Sequence, residues 1–266
     1  MEIILQGKDR NKMKRLLSYR LANLQGQGKR DYQEDSFAFA NALDVTMIRE
    51  RGLLAVVADG MGGMDGGRQS GEIAVRTVLD DFSSMDTGGD ISSQLTDMAG
   101  HASDRVNDAI GGSGGCTLIA AVIYDEELSF VSVGDSFIWL LRRGELIRLN
   151  HEHNRKNEIY LETIRAGDMD PAEGRENFEA SALTQFIGMT GMDEIDGTRM
   201  PIPLADGDIL VLCSDGVGGV LTEDEVITCL SNKPPDNAAL AIDGLIKQKD
   251  REHQDNYTAL IIKCGY

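Results

Sequence analysis

Two apolar runs in this chain end in the same dipeptide. Leu53-Leu54-Ala55-Val56-Val57-Ala58 closes on Asp59-Gly60, and Ile209-Leu210-Val211-Leu212-Cys213-Ser214 closes on Asp215-Gly216. An unbroken apolar run of that length is the pattern of a strand buried on both faces. A carboxylate placed just after such a strand is held at the rim of a sheet. Glu34-Asp35 precedes a third strand-like run, Ser36 to Ala40, and Asp255 precedes a fourth, Tyr257 to Ile262. Carboxylates gathered at one rim stay ionised together only beside a neutralising cation. Oxygen donors of this kind suit two hard divalent metals. Asp-Gly alone is ordinary turn chemistry. The chain has six such pairs, at Asp59, Asp65, Asp196, Asp206, Asp215 and Asp243. The strand patterns before Asp59 and Asp215 set those two apart, because a turn needs no strand in front of it.

The rest of the chain supplies strands and helix pairs in blocks. After the glycine-dense loop Gly60 to Gly67, Val75, Val78, Leu79 and Phe82 mark one face of a helix. Leu95, Met98, Ala102, Val106 and Ala109 mark a second helix over about 91–110, with Asp90 or Ser92 as its cap. A meander follows: Cys116 to Tyr124, Leu128 to Val133, Phe137 to Leu141 and Leu146 to Leu149. Its links are too short for anything but antiparallel pairing. Residues 150–181 are polar and read as a mobile excursion over one end of the sheet. Thr222 with Glu225 forms a capping box for the next helix, Pro234-Pro235 opens another, and a last strand ends near Lys263. Strands broken by helix pairs indicate an α+β layered domain rather than alternating βαβ units. Residues 1–17 read as an N-terminal extension and 18–266 as a single domain.

Composition narrows the function. Lys+Arg 26 against Asp+Glu 44 gives a net charge of −18, which disfavours nucleic acid and anionic membranes as partners. A phosphorylated substrate would have to be drawn in by local metal charge. The four cysteines, Cys116, Cys213, Cys229 and Cys264, form no C-x-x-C pair and read as buried, reduced thiols. None is followed six positions later by Arg, so the loop of a cysteine-nucleophile phosphatase is absent. The glycine-dense loop lacks the Lys-Ser/Thr ending of a nucleotide-binding P-loop. No run approaches the ~18 apolar residues of a membrane span, and a cytoplasmic monomer is the expectation. His151, His153 and His253 are candidates for proton transfer, with surface residues as the plainer reading; His253 is the best placed of them, two residues from Asp255. The 11 methionines read as core filler.

The motifs, taken in order, resemble the metal-dependent protein Ser/Thr phosphatases, the type 2C or PPM family, in its bacterial form. They are Arg30-Asp31-Tyr32-Gln33-Glu34-Asp35-Ser36, Asp59-Gly60-Met61-Gly62-Gly63, Gly115-Cys116-Thr117, Gly134-Asp135-Ser136, Ser214-Asp215-Gly216 and Asp255-Asn256-Tyr257-Thr258. Each is weak alone, but together they span about residues 18 to 263. The resemblance implies a four-layer α-β-β-α sandwich of two antiparallel sheets flanked by helix pairs. It implies that a water or hydroxide bridging two Mn²⁺ or Mg²⁺ ions attacks phosphoserine or phosphothreonine. Asp59 would bridge the ions, Asp215 and Asp255 would hold the first, and Glu34, the Gly60 carbonyl and Asp35 (through water) would serve the second. Asp135, with Asp215, would serve a weaker third metal, and Arg30 would grip the phosphate. The partner would be a phosphoprotein made by a Ser/Thr kinase in a signalling pathway.

The pattern departs from the family at three places. Met61 stands where many members carry a histidine thought to protonate the leaving alkoxide. Phe137 stands where an arginine is usual. Residues 150–181 occupy the place of the family's variable flap and match it poorly. The competing reading is a catalytically weak relative that binds a phosphoprotein partner, and a vaguer one is a phosphatase for small esters. Such degenerate relatives usually lose a metal acid, whereas Asp59, Asp215 and Asp255 are all present here.

Overall fold

The two strands that end in Asp-Gly lie inside different sheets, each with a partner on both sides. The computed structural model describes residues 16–63, 66–166 and 182–266. In chain order the elements are β1 (Ser18–Gly26), β2 (Ser36–Ala40), α1 (Val45–Arg51), β3 (Leu53–Ala58), β4 (Gly60–Met61), α2 (Gly66–Ser83) and α3 (Ile91–Ile110). Then come β5 (Gly115–Cys116), β6 (Leu118–Tyr124), β7 (Glu127–Val133), β8 (Phe137–Arg142), β9 (Glu145–Arg148), α4 (Arg155–Ala166), β10 (Asp196–Gly197) and β11 (Ile202–Pro203). The chain closes with β12 (Ile209–Cys213), α5 (Asp215–Gly218), α6 (Glu223–Leu230), α7 (Pro235–Lys249) and β13 (Tyr257–Gly265). One sheet runs β1-β13-β12-β8-β9 and the other β10-β7-β6-β3-β2, with β11 also on β7. Their strand pairs are antiparallel.

Alternation along each strand builds the layers. In β3, Leu53, Ala55 and Val57 face the opposing sheet, while Leu54, Val56 and Ala58 face helices. In β12, Leu210 and Leu212 point between the sheets and Ile209, Val211 and Cys213 point to the helices. Successive side chains leave opposite faces of a strand, and here both faces are covered, so neither strand shows a polar alternation. The helices α2 and α3 cover one sheet through Ala74, Val78, Leu95 and Ala102. The helices α6 and α7 cover the other through Val226, Leu230, Ala238 and Ile242. This is the four-layer α-β-β-α sandwich. Among the described residues no helix is long and apolar enough to cross a membrane. All four cysteines are buried and unpaired, as their sequence settings suggest.

Some elements differ from expectation. The helix α1 was not foreseen; none of its residues is buried, so it carries no apolar stripe to read, and Asp44 starts it by accepting from the N–H groups of Thr46 and Met47. Residues 155–166 form α4, where a mobile excursion was expected. That stretch is rich in good helix formers, and its polarity masked them. The expected N-terminal extension lies outside the described residues except for Leu16 and Leu17. Leu17 is buried, and its N–H donates to Glu126 Oε1 at 2.8 Å. Residues 167–181 of the expected flap, and Asp65, also lie outside the described residues.

The capping box at α6 is present in full. The Thr222 N–H donates to Glu225 Oε2 at 2.8 Å, and the Glu225 N–H donates to Thr222 Oγ1 at 3.3 Å. Thr222→Ala is expected to lower unfolding free energy by about 1 kcal/mol in denaturant titrations, while Thr222→Ser stays near wild type.

Candidate active site

Strand register brings the acids together. The end of β3 lies beside the start of β2, through Ser36 and Ala58. The end of β12 lies beside the start of β8, through Phe137 and Cys213, and near the start of β13, through Cys213 and Ala259. The turn holding Asp135 joins β7 to β8. Arg30, Glu34, Asp59, Gly60, Asp135, Asp215 and Asp255 therefore line one cleft of about 480 Å³, with Asp31, Tyr32, Met61, Thr117 and Leu183. Asp35 is buried just behind it.

Backbone and side-chain polar groups fix these turns. Asn256 accepts the Glu34 N–H at 2.8 Å and donates to the carbonyls of Gln27 at 2.8 Å and Tyr32 at 3.0 Å. The Asp59 N–H donates to Thr117 Oγ1 at 3.0 Å, and Thr117 Oγ1 shares a 2.8 Å bond with Ser136 Oγ. Ser214 Oγ donates to Asp35 Oδ2 at 2.8 Å and accepts the Thr258 N–H at 3.0 Å. Close backbone approach demands glycine at two points. A Cβ at Gly216 would stand 1.8 Å from the Asn256 carbonyl oxygen, and one at Gly60 would stand 2.4 Å from the Gly67 carbonyl oxygen.

The electrostatics are one-sided. Burial pushes the Asp35 carboxyl up to about 6; hydrogen bonds from Thr258 and Ser214 oppose this, and the charges of Asp215 and Asp255 reinforce it. Asp135 rises to about 7 through burial, then Asp215 and Glu152. Asp59 rises well above the carboxylate range through burial and then Asp35, Asp215, Asp135 and Asp255. Asp215 and Glu34 move the same way, burial first in both. Arg30 partly relieves the cluster by donating from Nη2 to Asp255 Oδ2 at 2.5 Å. That bond uses one of five guanidinium donors.

The donor set fits hard divalent cations. Glu34 Oε1, Asp35 Oδ1 and Asp215 Oδ1 are buried oxygens with no hydrogen-bond partner. A buried carboxylate oxygen left so is costly unless a cation meets it. Among the described residues no three acidic, His or Cys side chains close around one point. The acids form an open rim, which suits cations that keep much of their water shell and meet a phosphate.

The histidines stay away from the cleft lining. His151 and His253 are exposed. His153 is buried, and its Nδ1 accepts the Gly134 N–H at 3.1 Å, which puts the ring proton on Nε2. Burial lowers its pKa, so the ring is a neutral clamp on the Asp135 turn. Met61 lines the cleft and has no proton to give. Burial pushes the Cys116 and Cys213 thiols up, away from nucleophilic thiolate. Asn256 and Thr117 fell inside recognised motifs, but nothing in the sequence marked them as the groups that hold the acidic turns.

An acidic rim suited to divalent cations, with an arginine at its lip and no reactive thiol, suits phosphoryl chemistry, and the class it fits is a metal-dependent phosphatase. Comparison with known proteins gives the family. The profile of protein phosphatase 2C matches residues 33–235. Protein phosphatase PhpP of Streptococcus pneumoniae is 28% identical over 79% of this chain and 82% of its own. The solved serine/threonine phosphatase of S. agalactiae is 25% identical, with a TM-score of 0.76 over 92% of this chain and 99% of its own. The catalytic domain of serine/threonine phosphatase PstP, solved with two manganese ions, is 21% identical, with a TM-score of 0.73 over 94% of this chain and 100% of its own. The chain belongs to the protein phosphatase 2C family and is a bacterial-type protein serine/threonine phosphatase.

Proposed function

We propose that the cleft hydrolyses phosphoserine and phosphothreonine in protein substrates with two divalent ions, Mn²⁺ or Mg²⁺. In this reading Asp59 would be shared between the ions, Asp215 and Asp255 would hold one, and Glu34, the Gly60 carbonyl and, through water, Asp35 would serve the other. Asp135, with Asp215, would serve a weaker third. The observation that carries the reading is the trio of buried, unpartnered oxygens on Glu34, Asp35 and Asp215. Bound divalent ions supply charge to neutralise phosphate oxygens and to acidify an attacking water.

The chain's own residues do the rest. Thr117 and Ser136 fix the Asp59 backbone, Asn256 fixes the Glu34 turn, and Ser214 orients Asp35. Arg30 stands exposed at the lip, with donors left over for a phosphate. Met61 offers no acid, so the leaving alkoxide takes its proton from solvent. The catalytic domain spans 18–266, with 150–181, including α4, as the flap that selects substrates. The enzyme works as a cytoplasmic monomer against the product of a Ser/Thr kinase.

The test is hydrolysis of a phosphothreonine peptide and of a small phosphate ester, each in EDTA, Mg²⁺ or Mn²⁺. Metal-dependent turnover favouring the peptide supports the reading. Absence of turnover with retained phosphopeptide binding moves the function to a binding module. Arg30→Ala is expected to raise KM for the phosphopeptide about 10- to 100-fold, the loss of a charge-assisted bond, with a smaller change in kcat.

A further inference from the structure

Arg148, on the edge strand β9, belongs to none of the acidic motifs and does not line the cleft, yet it touches the supports of two acidic turns. Its guanidinium carbon lies 3.8 Å from the centroid of the Phe137 ring. That ring also packs on α5, the helical turn begun by Asp215: a Cβ at Gly218 would stand 2.2 Å from a ring carbon. Trp139 leans on the same ring at 5.1 Å, tilted by 52°. Phe137 is thus a wedge between Arg148 and the Asp215 turn.

The polar contacts of Arg148 point two ways. Nη2 donates to the Ser136 carbonyl at 3.4 Å, next to Asp135, and Nε donates to Asn150 Oδ1 at 3.5 Å. Nη1 donates to Glu152 Oε1. The other oxygen of Glu152 accepts from Asn154 Nδ2. Asn154 Oδ1 then accepts the Asn157 N–H at 2.9 Å, and Asn157 Nδ2 donates to the Glu152 carbonyl at 2.9 Å, closing the start of α4. The side chains of Arg148 and Glu152 are 26% and 25% exposed, so the pair is screened less than a surface ion pair. Asn150 joins in by accepting the Ile138 N–H at 2.9 Å and donating to the Ser136 carbonyl at 2.8 Å.

We propose that Arg148 is a positioning residue that locks the Asp135 and Asp215 turns in register with the base of α4, so that flap and rim share one geometry. The proposal rests on Asp135 and Asp215 serving metal, as proposed above. A planar fork suits it, because one group stacks on a ring while donating to a carboxylate and a carbonyl. Lysine could keep the charge but not that geometry.

The test compares Arg148→Met, Arg148→Lys and Glu152→Gln with wild type, reading phosphopeptide kcat across a Mn²⁺ titration and melting temperature. Arg148→Met keeps apolar cover on Phe137 and removes the donors. Its half-saturating Mn²⁺ should rise about tenfold, the usual scale for losing a group that orients a metal ligand. At saturating Mn²⁺ its kcat should stay within about twofold of wild type, because only positioning is lost. Arg148→Lys should fall between, and adding Glu152→Gln to Arg148→Met should change little more, since both cut one link. An unchanged Mn²⁺ dependence overturns the proposal. So does a loss of activity that tracks a lowered melting temperature and is not recovered by Mn²⁺, which marks a merely structural role. A wild-type enzyme that turns over without divalent metal overturns both this inference and the functional reading beneath it. Metal-dependent wild type with indifferent variants overturns the inference alone.

Discussion

Asp59→Asn is expected to abolish most turnover and leave the fold intact. The expected loss in kcat is about 10³-fold or more, the scale on which removing a preorganised electrostatic group slows an enzyme. The amide keeps the shape of the side chain but loses the charge proposed to bridge two cations. The fold has little reason to notice. The backbone bonds of Asp59 with Thr117 do not involve its carboxyl, and β3 is held by its apolar faces. Without metal the variant should melt higher than wild type, because Asp59 is repelled by Asp35, Asp215, Asp135 and Asp255. Two readings check this: phosphopeptide kcat in saturating Mn²⁺, and melting curves in EDTA. A variant that keeps most of its activity in excess Mn²⁺ contradicts the assignment of Asp59.

The metal-free protein should lose stability as pH rises from about 4 to 8, and divalent metal should remove that loss. The sign follows from the raised carboxyls. Asp35 goes from its ordinary value of 3.8 to about 6 and Asp135 from 3.8 to about 7. A group whose pKa is higher in the folded state holds its proton more tightly there. Its stabilising contribution is complete below 3.8 and is lost as pH climbs through 6 and 7. Asp59, Asp215 and Glu34 shift the same way. His153 opposes them, since burial lowers its pKa and protonation at acid pH costs the fold. The acids outnumber it, and the net effect should be a few kcal/mol, or roughly 5–10 °C in melting temperature between pH 5 and pH 8 in EDTA. In Mn²⁺ the order should flatten or reverse, because ionised acids are then the form that binds metal. A metal-free melting temperature that rises steadily from pH 5 to pH 8 contradicts a mutually repelling acid rim.

Much of the site was legible because the strands announce it. The strands β3 and β12 that lead to Asp59 and Asp215 are apolar at every position because both their faces are buried, and that pattern survives without any neighbour in view. The antiparallel meander, the helix pairs and the Thr222 capping box were readable for the same local reasons. What could not be read depends on distant partners. Asn256 takes its role from Gln27, Tyr32 and Glu34, more than two hundred positions away in sequence. The pairing of β10 and β11 with β7 is made by two-residue strands too short to show a period. The helix α4 was hidden by its polarity. For the histidines the plainer surface reading holds at His151 and His253, which are exposed, while His153 turns inward to Gly134, a direction that position in sequence does not give. Residues 167–181 were the least readable segment, being polar and without a periodic pattern.

A calorimetric titration of the metal-stripped chain with Mn²⁺, run beside phosphothreonine-peptide turnover on the same sample, joins the rim to the chemistry in one experiment. Two ions should bind per chain, turnover should rise as they bind, and EDTA should abolish it; Asp59→Asn should weaken the binding and lose the turnover together. Turnover that survives complete removal of metal, or a binding isotherm untouched by Asp59→Asn, would contradict a two-metal hydrolase built on these acids.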